Sequence, residues 1–336
     1  MQRCSQPGCR IAETGVCLEG HKQNCPHLIA ADSPVLALED KSAVASRAIS
    51  SAAEPRLFHT GEKLTLQEAA RLMNERPARI VLCAGASKSG KTTFLARLCE
   101  LFRNGFFKSH GFVGSLTLCA FEQATWFATM DSGGTQPDTK RTFRTENDKF
   151  LHLHVRSQED PSDEIDLLIS DLAGETYPVA VASGEFCTNL RSIFRADYLL
   201  VFLDCAKIVD RNSRHAEVDN ARTFLQRVAT VRHQTRMPSV CVVFSRSDYL
   251  ENTTDSADHV GYCAQVEKDL NSRFSAVFGH LEFVRVAARP KDGGKPSNEE
   301  IMSLFRTWAA PMTALSLGAI PRKQEYARDF SAFGLL

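Results

Sequence analysis

The sequence predicts an α/β protein built on a doubly wound, mostly parallel sheet with helices on both faces. Short apolar runs alternate with helical patterns from residue 78 to about 312, as expected where helical crossovers link parallel strands. One run, residues 80–84, leads into Gly85-Ala86-Ser87-Lys88-Ser89-Gly90-Lys91-Thr92. That stretch fits G-x-x-x-x-G-K-[ST] at every fixed position and opens onto a helical pattern from Thr93 to Phe102, the strand–loop–helix setting the motif needs. Two further apolar runs end in acidic turns, Asp171-Leu172-Ala173-Gly174-Glu175 and Ser245-Arg246-Ser247-Asp248, and open α/β sheets bind ligands at the carboxyl ends of strands.

The length of 336 residues allows one main domain with appendages. Lys+Arg and Asp+Glu both number 40, so the net charge is zero and no global pull toward nucleic acid or an anionic membrane follows. No apolar run approaches the roughly 18–20 residues of a membrane span. No signal-peptide core follows Met1-Gln2-Arg3-Cys4, and a cytoplasmic location is expected. Of 11 cysteines, Cys83, Cys99, Cys119, Cys205 and Cys241 lie in apolar runs and are expected as small buried hydrophobes.

Residues 1–30 carry Cys4-x4-Cys9-x7-Cys17-x3-His21-x3-Cys25-x-His27. In a reducing compartment clustered thiols point to metal rather than to disulfides. A structural Zn²⁺ takes four tetrahedral Cys/His ligands, and metal binding supplies folding free energy that so short a segment lacks. Cys4, Cys9, Cys17 and Cys25 are the first choice, with His21 competing for one place. Residues 31–77 are expected as a linker followed by a helix. Residues 31–54 are rich in Ala and Ser and are read as a linker or a loosely amphipathic helix, and Thr65-Leu66-Gln67-Glu68 then fits a capping box. The helix it starts ends before Pro77.

In the main domain, residues 78–312, strands are expected at 79–84, 150–155, 165–171, 198–204, 240–245 and 283–287. Helices are expected at 92–103, 186–194, 216–233, 259–278 and 298–309. The loop from Gly85 to Thr92, with Thr93 after it, would wrap a phosphate chain in inward-turned backbone N–H groups, at a helix N-terminus that favours anions. Lys91 would reach the β- and γ-phosphates as a point charge, and the Thr92 hydroxyl would ligate Mg²⁺. Asp171, at a strand end, would hold the Mg²⁺ water shell from the opposite side. Gly174 would offer its N–H to the γ-phosphate, since it has no side chain to block close approach. Arg246 would stack its planar guanidinium on a purine. His152 and His154 alternate with apolar residues and share one strand face, read as a polar sheet face. Residues 313–336 form an apolar tail expected to pack on the domain or on a partner.

The order of phosphate loop, D-x-x-G, an N-K-x-D-like turn and the S-A-K-like Val286-Ala287-Ala288-Arg289 resembles the Ras-like, TRAFAC-type P-loop GTPases over about 230 residues. The resemblance implies that Asp248 accepts hydrogen bonds from guanine N1 and N2, and that Ser245 stands in for a longer Asn. A backbone N–H near Ala287 or Ala288 would touch the base oxygen. The Cys/His segment and Pro137-Asp138-Thr139-Lys140-Arg141-Thr142 resemble, more narrowly, bacterial double-GTPase-type proteins of GTPase-associated conflict systems. That implies work beside other products of the same operon, in anti-phage defence.

Two departures matter. About 80 positions separate Lys91 from Asp171, roughly twice the small-GTPase spacing that the resemblance implies, with an insertion through 105–112 and 128–144. Thr142, ahead of Thr139, would carry the switch hydroxyl, and Lys140, Arg141 and Arg144 are candidates for charge stabilisation. Glu175 stands where many small GTPases have a water-orienting Gln. The expected function is a nucleotide-dependent switch that uses GTP/GDP, Mg²⁺ and a structural Zn²⁺, hydrolyses GTP slowly, and signals to a protein partner that senses the switch region. An ATPase of the same fold and a non-hydrolysing nucleotide-binding scaffold are the alternatives.

Overall fold

The computed structural model describes residues 3–4, 15, 27–29, 59–126, 148–232, 236–251, 255–279, 281–291 and 294–311. The chain forms two units, residues 1–58 and 59–336. In the first, β1 (Arg3–Cys4) pairs antiparallel with β2 (Leu28–Ile29), Cys4 opposite Leu28. Cys9, Cys17, His21 and Cys25 lie outside the described residues.

The second unit opens with α1 (Leu66–Glu75), started by the capping box read from the sequence. The Thr65 N–H donates to Glu68 Oε2 at 2.7 Å, and the Glu68 N–H donates to Thr65 Oγ1 at 3.4 Å. The backbone and side-chain bonds from Thr65 hold the Glu68 carboxyl below the usual carboxylate range. Leu64 bridges to Phe150, and Leu64, Ala69 and Leu72 are buried. This helix therefore belongs to the core of the second unit.

Seven strands form one sheet: β3 (Ala78–Gly85), β4 (His110–Gly114), β5 (Leu151–Ser157), β6 (Glu164–Asp171), β7 (Tyr198–Asp204), β8 (Ser239–Ser245) and β9 (Leu281–Val286). Their spatial order is β4-β5-β6-β3-β7-β8-β9. The five strands from β6 to β9 in that order are parallel, whereas β5 pairs antiparallel with both β6 and β4. The central strands are covered on both faces, which is why they read as continuous apolar runs. Ile80, Leu82 and Ala84 face one core, with α1, α4 (Thr176–Ala182), α8 (Arg214–Arg232) and α10 (Ser256–Phe278). Val81 and Cys83 face the other, with α2 (Lys91–Arg103) and α11 (Asn298–Ala309). There Phe94 meets Phe202 edge-on at 5.5 Å, and Trp308 lies 6.3 Å from Phe94.

Three expectations are corrected. The single helix expected over 186–194 is broken. The observed helices are α4, α5 (Gly184–Asn189) and α6 (Arg191–Arg195). Local caps set the breaks: Ser183 Oγ accepts the Phe186 N–H, and the Asp148 carboxyl accepts the N–H groups of Arg191 and Ser192. Second, the insertion after α2 contains β4 and the helix α3 (Leu118–Thr125). The strand has only five residues, two of them glycine, and the helix has no side-chain cap, so neither signals itself in sequence. Third, Cys119 is exposed and Cys99 half-buried, while Cys83, Cys205 and Cys241 are buried. His152 and His154 do share a polar sheet face, and that face is buried: they are 2% and 8% exposed. His152 Nε2 donates to Asp166 at 2.8 Å, and its Nδ1 accepts the Leu116 N–H at 2.9 Å. Alternation identifies a shared face, but it does not say what covers that face. Here Arg76, the C-cap of α1, and the segment 115–117 cover it.

Among the described residues no helix is long and apolar enough to cross a membrane. Residues 312–336 lie outside the described residues.

Candidate phosphate and base site

Parallel strands end at a common edge, and the motif residues gather there. Asp171 closes β6 opposite Cys83 of β3, and Gly85 closes β3 opposite Phe202 of β7. Asp204, Ser245 and Val286 end β7, β8 and β9 in register with one another.

The phosphate loop turns out of β3 into α2. Gly90 caps α2 in the left-handed region at φ 83°, a conformation that glycine adopts without a Cβ penalty. Lys91, only 7% exposed, folds back across the loop. Its Nζ donates to the carbonyls of Gly85 and Ala86, both at 3.1 Å. Ala86 and Gly90 are half-buried, Ser87 and Lys88 are exposed, and Ser89 is buried. Thr92 and Thr93 occupy the first turn of α2 and are half-buried.

The turn after β6 packs directly on this loop. The Leu172 N–H donates to the Cys83 carbonyl at 2.9 Å. Gly174 lies against Ser87, where an added Cβ would come within 2.4 Å of Ser87 Cα and 2.7 Å of its nitrogen. Those are backbone atoms that cannot rotate aside. Gly174→Ala is therefore expected to push the two loops apart and to lower stability by about 1–3 kcal/mol, read as a fall in Tm. An unchanged Tm would contradict this contact. Glu175 follows as the N-cap of α4. The switch candidates Thr139 and Thr142, with Lys140, Arg141 and Arg144, lie outside the described residues.

On the base side, Ser245 braces the phosphate loop. Its Oγ donates to the Ser89 carbonyl at 2.7 Å and to the Leu203 carbonyl at 3.1 Å. Arg246 has a left-handed backbone, φ 53°, and its Cγ lies 4.0 Å from where a Cβ added to Gly90 would stand. Its guanidinium pairs with both carboxyl oxygens of Asp204, with Nε at 2.7 Å from Oδ1, and lies 5.3 Å from the Tyr249 ring centre. Burial draws the Arg246 pKa down, with Tyr249 and Asp248 acting in the opposite sense. Asp248 opens the short helix α9 (Asp248–Glu251), and its Oδ2 accepts the Lys291 N–H at 3.2 Å. Lys291 also sets its ammonium 4.6 Å from the Tyr249 ring. The Ala287 N–H donates to Ser297 Oγ at 2.9 Å. Sequence reasoning missed Asp204, Tyr249, Lys291 and Ser297. Only Asp204 carried a signal, an acidic residue ending an apolar run.

A Lys-bearing phosphate loop on one strand of a mostly parallel sheet, with motif turns after β6, β8 and β9 of the same parallel set, defines the P-loop GTPase class. The model of the Double-GTPase 2 family matches residues 79–309, and the chain belongs to that family. No curated protein matches it. Among solved structures, it resembles Methanosarcina barkeri Roco2 RocCORdC bound to GDP (15% identity, TM-score 0.36, covering 70% of this chain and 49% of that one). It also resembles the S. cerevisiae Ski7 GTPase-like domain bound to GTP (14%, 0.39, 74% and 54%). A third is the signal recognition particle receptor SRb-GTP/SRX complex from Chaetomium thermophilum (14%, 0.39, 70% and 98%). The chain spans about half the length of the first two.

Proposed function

We propose that the protein is a GTP-dependent switch that hydrolyses GTP slowly and reports its nucleotide state to a protein partner. The observation that supports this most is the convergence of the phosphate loop, the Gly174 turn and the Arg246–Asp248 turn at one sheet edge. The residues fit the nucleotide. Lys91 is held by two loop carbonyls, Gly174 meets the loop with no room for a side chain, and the Asp248 carboxyl is oriented by the Lys291 N–H. Lys91 and the N–H groups of residues 86–93 would bind the phosphates. Asp248 and Ala288 would read guanine, and Arg246 would line it.

Thr92 and Asp171 would hold Mg²⁺, which neutralises charge on the phosphates when bound. Thr142 or Thr139 would add the switch hydroxyl. Phosphoryl transfer of this kind rests on positioning and charge neutralisation. A carboxylate near a γ-phosphate is repelled unless charge compensates, so Glu175 in place of Gln favours slow turnover that a partner accelerates. The likeness of the Cys/His segment and of Pro137–Thr142 to bacterial double-GTPase-type proteins of conflict systems motivates a partner from the same operon.

Phosphate release tests the reading. The purified chain with Mg²⁺ should hydrolyse GTP slowly and ATP more slowly still. Turnover of about 10 per second without a partner would refute the slow switch. Equal rates with ATP would favour an ATPase, which Ser245 and Arg246 in place of Asn and Lys keep as the second reading. No turnover with retained binding would favour a scaffold.

The N-terminal segment is proposed to hold Zn²⁺ through four of Cys4, Cys9, Cys17, His21 and Cys25. The β1–β2 pairing brings the two ends of this stretch side by side, as a shared metal requires. Metal analysis should find about one zinc per chain, lost in Cys17→Ser/Cys25→Ser. A zinc-free native protein would sink the idea.

A further inference from the structure

Asp204 belongs to none of the sequence motifs, yet it stands against the base side of the site. It ends β7, is 1% exposed, and lies opposite Ser245 in the sheet. Its carboxyl oxygens take the Arg246 guanidinium in a two-pronged pair. The same carboxyl caps α7 (Cys205–Ile208), with Oδ1 accepting the Ala206 N–H at 3.0 Å. Its backbone N–H donates to buried Glu217, which also binds Lys207 at 2.8 Å. Asp204 is thus fixed by the sheet, by a helix cap and by a buried partner before it meets Arg246.

Arg246 needs such an anchor. A non-glycine residue in the left-handed region costs free energy and persists only where its surroundings hold it. Its Cγ lies 4.0 Å from where a Cβ on Gly90, at the end of the phosphate loop, would stand, and its head lies between Asp204 and Tyr249. With the head tied down on Asp204, the methylenes form a fixed apolar floor between phosphate loop and base turn. A bidentate Arg–carboxylate pair supplies that fixed plane, and a Lys would not.

We propose that Asp204 is a positioning residue for the nucleotide base. It locks Arg246 so that its stem forms one wall of the purine site. The proposal rests on the guanine reading given under "Proposed function". Asp204 acts through Arg246 and does not touch the phosphates, so its effect should fall on the base alone.

The experiment compares GTP, ATP and inorganic triphosphate by competition against a fluorescent GTP analogue. Wild type, Asp204→Asn, Arg246→Ala and the double variant are measured. Asn keeps the helix cap but loses the charge of the pair. Asp204→Asn should weaken GTP about tenfold and leave inorganic triphosphate unchanged. Adding Asp204→Asn to Arg246→Ala should cost no further GTP affinity. Equal weakening of GTP and inorganic triphosphate, or full additivity in the double variant, overturns the proposal. Wild-type GTP preference retained by Asp204→Asn overturns the proposal alone. A wild-type protein that binds GTP no better than inorganic triphosphate overturns the guanine reading and the proposal together.

Discussion

Lys91→Ala is expected to weaken GTP binding about 100-fold or more and to remove measurable turnover. The side chain is nearly buried, and its Nζ is poised by the Gly85 and Ala86 carbonyls at 3.1 Å. Those contacts hold the ammonium against the loop backbone. A charge-assisted bond to a phosphate is worth about 1.5–3 kcal/mol, and contacts to two phosphates together reach about 3 kcal/mol, or roughly 100-fold. Titration calorimetry with GTP and Mg²⁺ reads the loss directly. An affinity within a few-fold of wild type would mean that the loop does not cradle a triphosphate.

Asp166→Ala is expected to cost about 3 kcal/mol of stability. Asp166 is fully buried. It takes the His152 Nε2–H at 2.8 Å and lies 3.7 Å from Arg76 Nε at the end of α1. His154 sits beside it, 3.1 Å from Glu164 and 3.0 Å from Arg76. Removing the carboxyl leaves a buried imidazole N–H unsatisfied and a guanidinium less compensated. The loss also reaches the path toward the switch candidates. His152 holds residues 115–117 through the Leu116 N–H, through Thr117 Oγ1, which accepts the His152 N–H at 2.7 Å, and through its own carbonyl, which accepts Ser115 Oγ–H at 2.6 Å. That segment sets the start of α3, and the chain then runs on toward Thr139 and Thr142. Denaturant unfolding of the variant measures the cost, and a change below about 0.5 kcal/mol would show that the network does not stabilise the fold.

The parallel core was legible because each central strand is buried on both faces and so reads as an uninterrupted apolar run, with tight turns at its end. Residues 198–204 are an example, matching β7 residue for residue. The phosphate loop was legible for a different reason. Its backbone geometry demands Gly90 and its chemistry demands Lys91, so little substitution is tolerated and the motif is dense. What stayed hidden depends on contacts across the fold. The edge strand β4 carries glycines and exposed residues such as Phe112, and its strand state comes from pairing with β5, not from its composition. The three short helices after Glu175 are divided by caps, one of which comes from Asp148, more than 40 residues upstream. Periodicity could pair His152 with His154, but only Asp166 and the covering Arg76, the C-cap of α1, make that face an interior. In the base turn, Ser245 and Arg246 look like a degraded motif when read along the chain. In space they have their own partners, the Ser89 carbonyl and Asp204.

The central claim is that this edge of the sheet binds guanine nucleotide, with Asp248 reading the base. The most direct measurement is displacement of a fluorescent GTP analogue by unlabelled GTP and ATP, on wild type and on Asp248→Ala. The account predicts that GTP displaces the analogue from wild type at least about tenfold better than ATP does, and that Asp248→Ala removes this preference. Equal displacement by ATP, with no change in Asp248→Ala, would contradict it.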